Sequence, residues 1–215
     1  MTEQRPAARI LIAADHQLMA DACKNLLEPE FLVVGTVTDG RQLVEAVAEL
    51  KPDIILLDIY MPRLNGLDAG EQVKKANPGI KLIFLTMTMA AEVAAEAFRR
   101  GASGYVLKQS AGTELLLAVR KVNRRESYLS PLVAKETVTF LLNQKQHCLG
   151  GRRITQRQSQ ILQLLAEGLS MKQVGDVIGV KPGTVAFHKY KMMETLNITS
   201  NAELLGYALK HQMIA

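Results

Sequence analysis

The sequence predicts an α/β domain built on a five-stranded, doubly wound parallel sheet, followed by a smaller all-α domain with a helix-turn-helix. Five short apolar runs alternate with helical patterns over residues 8–128, which is typical of parallel strands joined by crossover helices. After residue 153 only helical patterns remain, separated by turn signals.

Each predicted strand is a short apolar run that stops at a polar residue or a turn. The clearest is the third, because residues 54–57 are four consecutive large aliphatics, typical of a strand buried on both faces. The five strands are predicted at 9–13, 32–36, 54–58, 81–85 and 104–108. The second helix begins with a capping box at Asp39 and Gln42, and Pro78 with Gly79 ends the third.

Polar residues stand where four of these strands end, namely Asp15, Asp58, Thr86 and Lys108. Because the carboxyl ends of parallel strands share one edge, we expect these side chains to converge. Two carboxylates suit a hard cation such as Mg²⁺. The ammonium and hydroxyl groups would stabilise a phosphoryl group on Asp58. A solvated strand-end aspartate is the alternative for Asp58 taken alone.

Residues 8–126 resemble the receiver domain of bacterial response regulators, which has a flavodoxin-like fold. The stretch from Asp58 to Gly66 matches that family's D-x-x-M-P-x-x-N-G pattern, in which the aspartate is the phosphoacceptor. The resemblance implies a sensor histidine kinase as partner. It also implies a Mg²⁺ site formed by Asp15, Asp58 and the backbone carbonyl of Tyr60. The phosphate switch that it implies consists of Thr86, Tyr105 and Lys108.

Three residues depart from the receiver pattern. Ala14 replaces the first of two adjacent acids, which is expected to weaken Mg²⁺ binding because that acid orders metal-bound water. Met87 follows the switch threonine, where a small residue is usual, and Gln109 replaces a proline. The sequence therefore leaves open a phosphorylation-competent and a degenerate receiver.

Composition favours an ordinary globular protein, with 48% hydrophobic and 22% charged residues in 215. No apolar run approaches the 18 or so residues of a membrane span, and the polar start lacks a signal core, so we expect a cytoplasmic protein. Cys23 is predicted in a helix core and Cys148 in a linker, without metal-ligand spacing. We do not expect an enzyme, beyond self-catalysed phosphorylation and dephosphorylation of the aspartate.

Charge is divided unevenly along the chain. Residues 1–128 contain 16 basic and 16 acidic residues, whereas residues 129–215 contain 10 basic and 5 acidic ones. A neutral first domain and a basic second domain suggest a sensor joined to a nucleic-acid-binding module.

Between the domains, Ser130 and Pro131 form an N-cap and first helical position that begin a linker helix. Residues 144–153 contain Gly150 and Gly151 without periodicity, and a hinge is predicted there. The predicted domains are a receiver at 8–128, a linker helix and hinge at 129–152, and a DNA-binding domain at 153–215.

Capping boxes that begin at Thr155, Ser170 and Ser200 mark three helix starts in the last domain. Its third helix begins at 181–183, and the Gly179 turn before it gives a helix-turn-helix pattern. A helical period places Val185, His188, Met192 and Leu196 inward and Gly183, Phe187, Tyr190 and Lys191 outward. Exposed aromatics beside lysines are typical of a helix that enters the major groove; packing on a neighbouring helix or subunit is the alternative.

Residues 153–212 resemble the LuxR-type helix-turn-helix, on the spacing of Ala166-Glu167-Gly168, Gly179-Val180, Thr184-Val185 and His188. The resemblance implies that a homodimer binds double-stranded DNA. The DNA contacts it implies are Lys181, Thr184, Ala186, Phe187, Tyr190 and Lys191, and the dimer contacts are Leu204, Leu205 and Ala208.

Together the two resemblances predict a NarL/LuxR-class response regulator. In this interpretation, phosphorylation of Asp58 by a sensor histidine kinase shifts dimerisation and promoter binding. Two alternatives stay open: a DNA-binding regulator that does not depend on phosphorylation, and a receiver that acts as a protein-interaction adaptor.

Overall fold

The structure is a computed structural model that describes residues 7–144, 154–210 and 213. The chain divides into two compact units, one built around a sheet and one entirely helical. The predicted hinge beyond Gln144, with Cys148, lies outside the described residues. Within the described part of the chain, no helix is long and apolar enough to cross a membrane.

The first unit contains a parallel sheet with the strand order β2-β1-β3-β4-β5-β6. Its strands are β1 Arg9–Ala13, β2 Leu32–Val37, β3 Ile54–Asp58, β4 Lys81–Thr86, β5 Ala102–Leu107 and β6 Tyr128–Leu129. The predicted fold class is confirmed, but the sheet has a sixth strand that the sequence analysis did not predict. This strand has only two residues and is defined by its pairing with β5, so no periodicity marks it in the sequence.

In the part of this unit that the structure describes, six α-helices accompany the sheet: α1 Gln17–Leu27, α2 Gly40–Leu50, α3 Gly66–Ala76, α4 Ala91–Arg99, α5 Ala111–Asn123 and α6 Pro131–Gln144. The predicted cap of α2 is present, because the Asp39 carboxylate accepts hydrogen bonds from the backbone N–H groups of Arg41 and Gln42.

The core lies on both sides of the central strands. All five residues of β3 are buried, as the run of aliphatic residues predicts. Cys23 is buried in the core on α1, also as predicted, and burial raises the pKa of its thiol to about 11.

The linker helix α6 belongs to the first unit and packs against α4. Its start is fixed by the buried Ser130, whose hydroxyl accepts a hydrogen bond from the Leu107 N–H at 3.1 Å and donates one to the Glu114 carboxylate at 2.5 Å. The beginning of α6 is therefore tied to the carboxyl end of β5.

The second unit consists of α7 Gln156–Ala166, α8 Met171–Ile178, α9 Pro182–Leu196 and α10 Asn201–Lys210. Complete capping boxes begin α7 at Thr155 and α8 at Ser170, as predicted. Gly179 ends α8 in the left-handed conformation, with φ of 70°. A β-carbon on Gly175 would lie 2.6 Å from the Val180 carbonyl oxygen, so the close turn between α8 and α9 requires glycine at 175.

Candidate functional site

The carboxyl edge of the sheet gathers the polar residues predicted to form a site. Asp58 is the last residue of β3, Thr86 is the last of β4, and Lys108 directly follows β5. Asp58 pairs with Leu85, so Thr86 stands one residue beyond it on the neighbouring strand. Asp15 follows β1 on the other side of β3. Parallel pairing in this strand order brings all four strand ends to one edge.

Asp58 and Lys108 form an ion pair at the centre of this edge. The Lys108 ammonium donates a hydrogen bond to Oδ2 of Asp58, and the Tyr60 N–H donates one to Oδ1 at 3.2 Å. Asp58 is fully buried, and burial raises the pKa of its carboxyl group, an effect that the bond and charge of Lys108 oppose. The site thus holds a poorly hydrated carboxylate beside a cation, an arrangement suited to a nucleophile.

Asp15, Asp58 and His16 form a potential metal-binding cluster. One ligand atom from each of these three residues lies within 4.8 Å of the other two. His16 was missed by the sequence analysis. Its Nδ1 lies 2.6 Å from Oδ1 of Asp15, so it is placed to orient that carboxylate. The available signal was its position directly after Asp15, at the end of a strand.

Thr86 and Tyr105 are joined through hydrogen bonds beside this cluster. The Thr86 hydroxyl accepts a bond from the Thr88 N–H at 3.1 Å, and the Tyr105 hydroxyl donates to the Thr88 carbonyl at 3.1 Å. Burial raises the pKa of the Tyr105 phenol. The two residues of the predicted switch pair are therefore linked through Thr88, and the Tyr105 side chain is fully buried.

Two of the departures from the receiver pattern have different surroundings. Ala14 is buried among the aliphatic side chains of the core, and its methyl side chain offers no oxygen to the metal-binding cluster. Met87 is 65% exposed, and its side chain faces solvent at the rim of the site.

In the second unit, α9 presents the predicted outward face. Phe187 and Tyr190 are 63% and 62% exposed. Lys181, Thr184 and Lys191 are also exposed, and Ala186 is half-buried. An apolar and cationic surface therefore runs along one side of this helix.

The inward face of α9 differs from the prediction at one position. Val185 and Met192 are buried as expected, and Leu196 is half-buried against the core. Lys189 is buried instead of His188, which is half-buried and stacks edge-on against Phe187. The helical wheel misassigned these adjacent residues because the inner face is set by packing against α7 and α8.

The apolar residues of α10 also require a correction. Leu204 and Ala208, predicted as dimer contacts, are buried in the core of their own unit. Only Leu205 of the predicted three is exposed, at 42%, together with Leu209. Leu204 and Ala208 therefore face the core of this unit, whereas Leu205 and Leu209 form the outward face of α10.

Comparison with known proteins gives a match for each unit. The family described as response regulator receiver domain matches residues 10–120. The family described as bacterial regulatory proteins, luxR family, matches residues 152–208.

Individual proteins match nearly the whole chain. Response regulator GacA of Pseudomonas aeruginosa is 29% identical, with 96% of this chain and 97% of that protein covered. Oxygen regulatory protein NreC of Staphylococcus epidermidis is 32% identical, with 96% and 99% covered. The structure of RcsB from Salmonella enterica serovar Typhimurium bound to promoter P1flhDC, in the presence of the phosphomimetic BeF₃⁻, has a TM-score of 0.63 at 25% identity, with 94% and 98% covered.

Proposed function

The chain belongs to the bacterial response regulators that join a receiver domain to a LuxR-type DNA-binding domain, and on this basis we propose that phosphorylation of Asp58 controls its binding to DNA. The observation that carries the proposal is the buried Asp58 carboxylate, held by Lys108 and lying beside Asp15. A sensor histidine kinase supplies the phosphoryl group, and the second domain binds promoter DNA.

The nucleophile in this reaction is the Asp58 carboxylate. One of its oxygens forms a bond to phosphorus while the bond between phosphorus and the donor breaks, and the leaving group departs with the electron pair. The reaction needs the ionised carboxylate, which burial disfavours and the charge and hydrogen bond of Lys108 favour. The same ammonium then offsets the charge on the phosphoryl oxygens.

The oxygen ligands at this edge fit Mg²⁺, because Asp15 and Asp58 offer hard carboxylate oxygens close together. Asp15, Asp58 and the backbone carbonyl of Tyr60 would hold the ion, and His16 would orient Asp15. Bound Mg²⁺ would neutralise negative charge on the phosphoryl oxygens.

The switch depends on the hydroxyl of Thr86. This group now accepts a hydrogen bond from the Thr88 N–H, and the Tyr105 hydroxyl donates one to the Thr88 carbonyl. A phosphoryl group on Asp58 offers it a charged acceptor, and charge-assisted hydrogen bonds are about twice as strong as neutral ones. Phosphorylation therefore favours a conformation in which Thr86 turns towards Asp58 and Tyr105 is released from its present bonds.

The linker helix is placed to transmit this change. α6 packs against α4, the helix that follows the Thr86–Thr88 segment. Its start is held by Ser130, which bonds the residue before Lys108. Movement of α4 or of the carboxyl end of β5 therefore shifts α6, and with it the segment that leads to the DNA-binding domain.

The DNA-binding surface in this proposal is the exposed face of α9. Lys181, Thr184 and Lys191 contact the backbone, while Ala186, Phe187 and Tyr190 face the bases. The regulator acts in the cytoplasm and binds DNA as a homodimer, with Leu205 on the outward face of α10 at the dimer contact. The domains in this proposal are the receiver at 8–128, the linker helix and hinge at 129–152, and the DNA-binding domain at 153–215.

We expect phosphorylation to increase DNA affinity. The full-length protein is incubated with Mg²⁺ and acetyl phosphate, and its binding to a pool of promoter fragments is measured by fluorescence anisotropy. A rise of about tenfold corresponds to a coupling free energy within the usual range for two linked sites. Protein that is shown to be phosphorylated by mass spectrometry but binds with unchanged affinity would contradict phosphate control.

A second candidate function is DNA binding that does not depend on phosphorylation. It is favoured by Ala14, whose methyl group occupies the position of a receiver's first acid. In this case the receiver would serve as a constitutive dimerisation module.

Substitution Ala14→Asp tests how far this departure weakens the site. Restoring a carboxylate is expected to tighten Mg²⁺ binding about tenfold. Residues that support metal ligands change metal affinity by about 10-fold to 100-fold, and we expect the lower value here. Isothermal titration calorimetry measures the affinity, with Ala14→Asn as a control of equal size and no charge. Equal Mg²⁺ affinity in the wild type and a folded Ala14→Asp variant would show that this position does not limit binding.

A further inference from the structure

Two large aromatic side chains project from α9 into solvent. Phe187 and Tyr190 are more than 60% exposed and lie three residues apart, so their rings occupy one face of the helix. The cores of the same unit bury Val185 and Met192 of this helix and leave both rings outside. Exposed aromatics paired in this way mark a binding surface.

Both rings are held by neighbouring side chains. The Phe187 ring packs edge-on against His188, with centroids 5.6 Å apart and an interplanar angle of 72°. The Lys189 ammonium lies 5.4 Å from the centroid of the Tyr190 ring. Because these contacts restrict the rings before binding, less conformational entropy is lost when a ligand covers them.

The surroundings of the rings favour a polyanion as the ligand. Lys191 is exposed on the same helix and Lys181 is exposed at its N-cap, with Glu194 one turn beyond Tyr190. Residues 129–215 carry twice as many basic as acidic side chains. An apolar protein partner would cover the rings but leave the lysines unmatched, whereas duplex DNA offers phosphates for the lysines and base edges for the rings.

The composition of α9 limits which bases it can recognise. The segment Pro182–Leu196 contains no Arg, Asn or Gln, so lysine is the side chain it offers for a bidentate contact with a base, and Lys189 is buried. The Phe187 side chain has no donor or acceptor. The base-edge group that it can recognise in the major groove is the methyl group of thymine.

Resting on the proposed DNA binding, we infer that Phe187 gives this protein a preference for thymine by packing against the thymine 5-methyl group. The preference is decided by apolar contact, while the lysines contribute affinity that does not depend on sequence.

The test uses duplexes that the full-length protein selects from a randomised pool. Each thymine of a selected site is replaced in turn by deoxyuridine, which removes only the methyl group. At one or two positions per half-site, binding should weaken roughly fourfold, which is the change in affinity expected when the burial of one methyl-sized group is lost. Phe187→Ala should bind thymine and uracil duplexes equally, and Phe187→Leu should keep part of the preference.

Lys181→Ala serves as the matched control, because it should weaken binding to both duplexes by the same factor. The inference is overturned if sequence-specific sites are selected but no uracil substitution matters, or if Phe187→Ala keeps the wild-type ratio. If the folded protein enriches no duplex at all, the proposed DNA binding itself is wrong, and the inference about Phe187 fails together with it. Circular dichroism of each variant separates loss of contact from loss of fold.

Discussion

Replacing Asp58 with asparagine is expected to abolish phosphorylation. The amide keeps the size of the side chain and can still occupy the buried position beside Lys108, but it lacks the anionic oxygen that attacks phosphorus. Intact-protein mass spectrometry after incubation with Mg²⁺ and acetyl phosphate should show one added phosphoryl group in the wild type and none in the variant. The DNA affinity of Asp58→Asn should then no longer respond to the phosphodonor.

Asp21→Asn is a suitable control, because Asp21 is an exposed carboxylate on α1 that accepts a hydrogen bond from Gln17 on the same helix. It should be phosphorylated like the wild type. If Asp58→Asn still gains a phosphoryl group, the acceptor is another residue. If the wild type gains none with Mg²⁺ present, the receiver is degenerate and the second candidate function stands.

Removing Lys181 and Lys191 together is expected to cause the largest loss of DNA binding. Each phosphate contact contributes roughly a factor of eight at 0.1 M salt, since log K changes by about 0.9 per contact for each tenfold change in salt. A dimer that loses both lysines in each protomer would lose four contacts, and its affinity should fall by about a thousandfold or more. The slope of log K against log salt should decrease by nearly four units.

The control for charge is the pair Lys24→Ala and Lys75→Ala, which removes two exposed lysines from helices of the first unit. This variant has the same net charge as the test variant and should bind DNA like the wild type. A salt slope that is equal in both double variants would show that general charge, and not a DNA contact at α9, governs binding.

Much of the site could be predicted because its signals are local and its geometry follows from one rule. The aliphatic run of β3 and its terminal Asp58 identify a central strand and its end, and parallel pairing carries the other strand ends to the same edge. The helix starts in the second unit were equally accessible, because a capping box is formed by residues three apart in the chain.

The residues that were missed or misplaced depend on neighbours far away in the chain. His16 joins the metal-binding cluster only because β1 lies beside β3. β6 exists only through its pairing with β5, and the inward position of Lys189 instead of His188 is set by the helices around α9. A helical period cannot distinguish adjacent residues near the boundary of a face.

The sequence by itself determined the division into a neutral sheet domain and a basic helical domain, the phosphoacceptor candidate Asp58, and the helix that carries Phe187 and Tyr190. Only the tertiary structure decided which side chains are available. It placed Lys108 on Asp58, buried Leu204 and Ala208, and left both aromatic rings in solvent. The physical reason is that strand and helix signals arise from near neighbours, whereas burial and ion pairing depend on which distant segments close over a side chain.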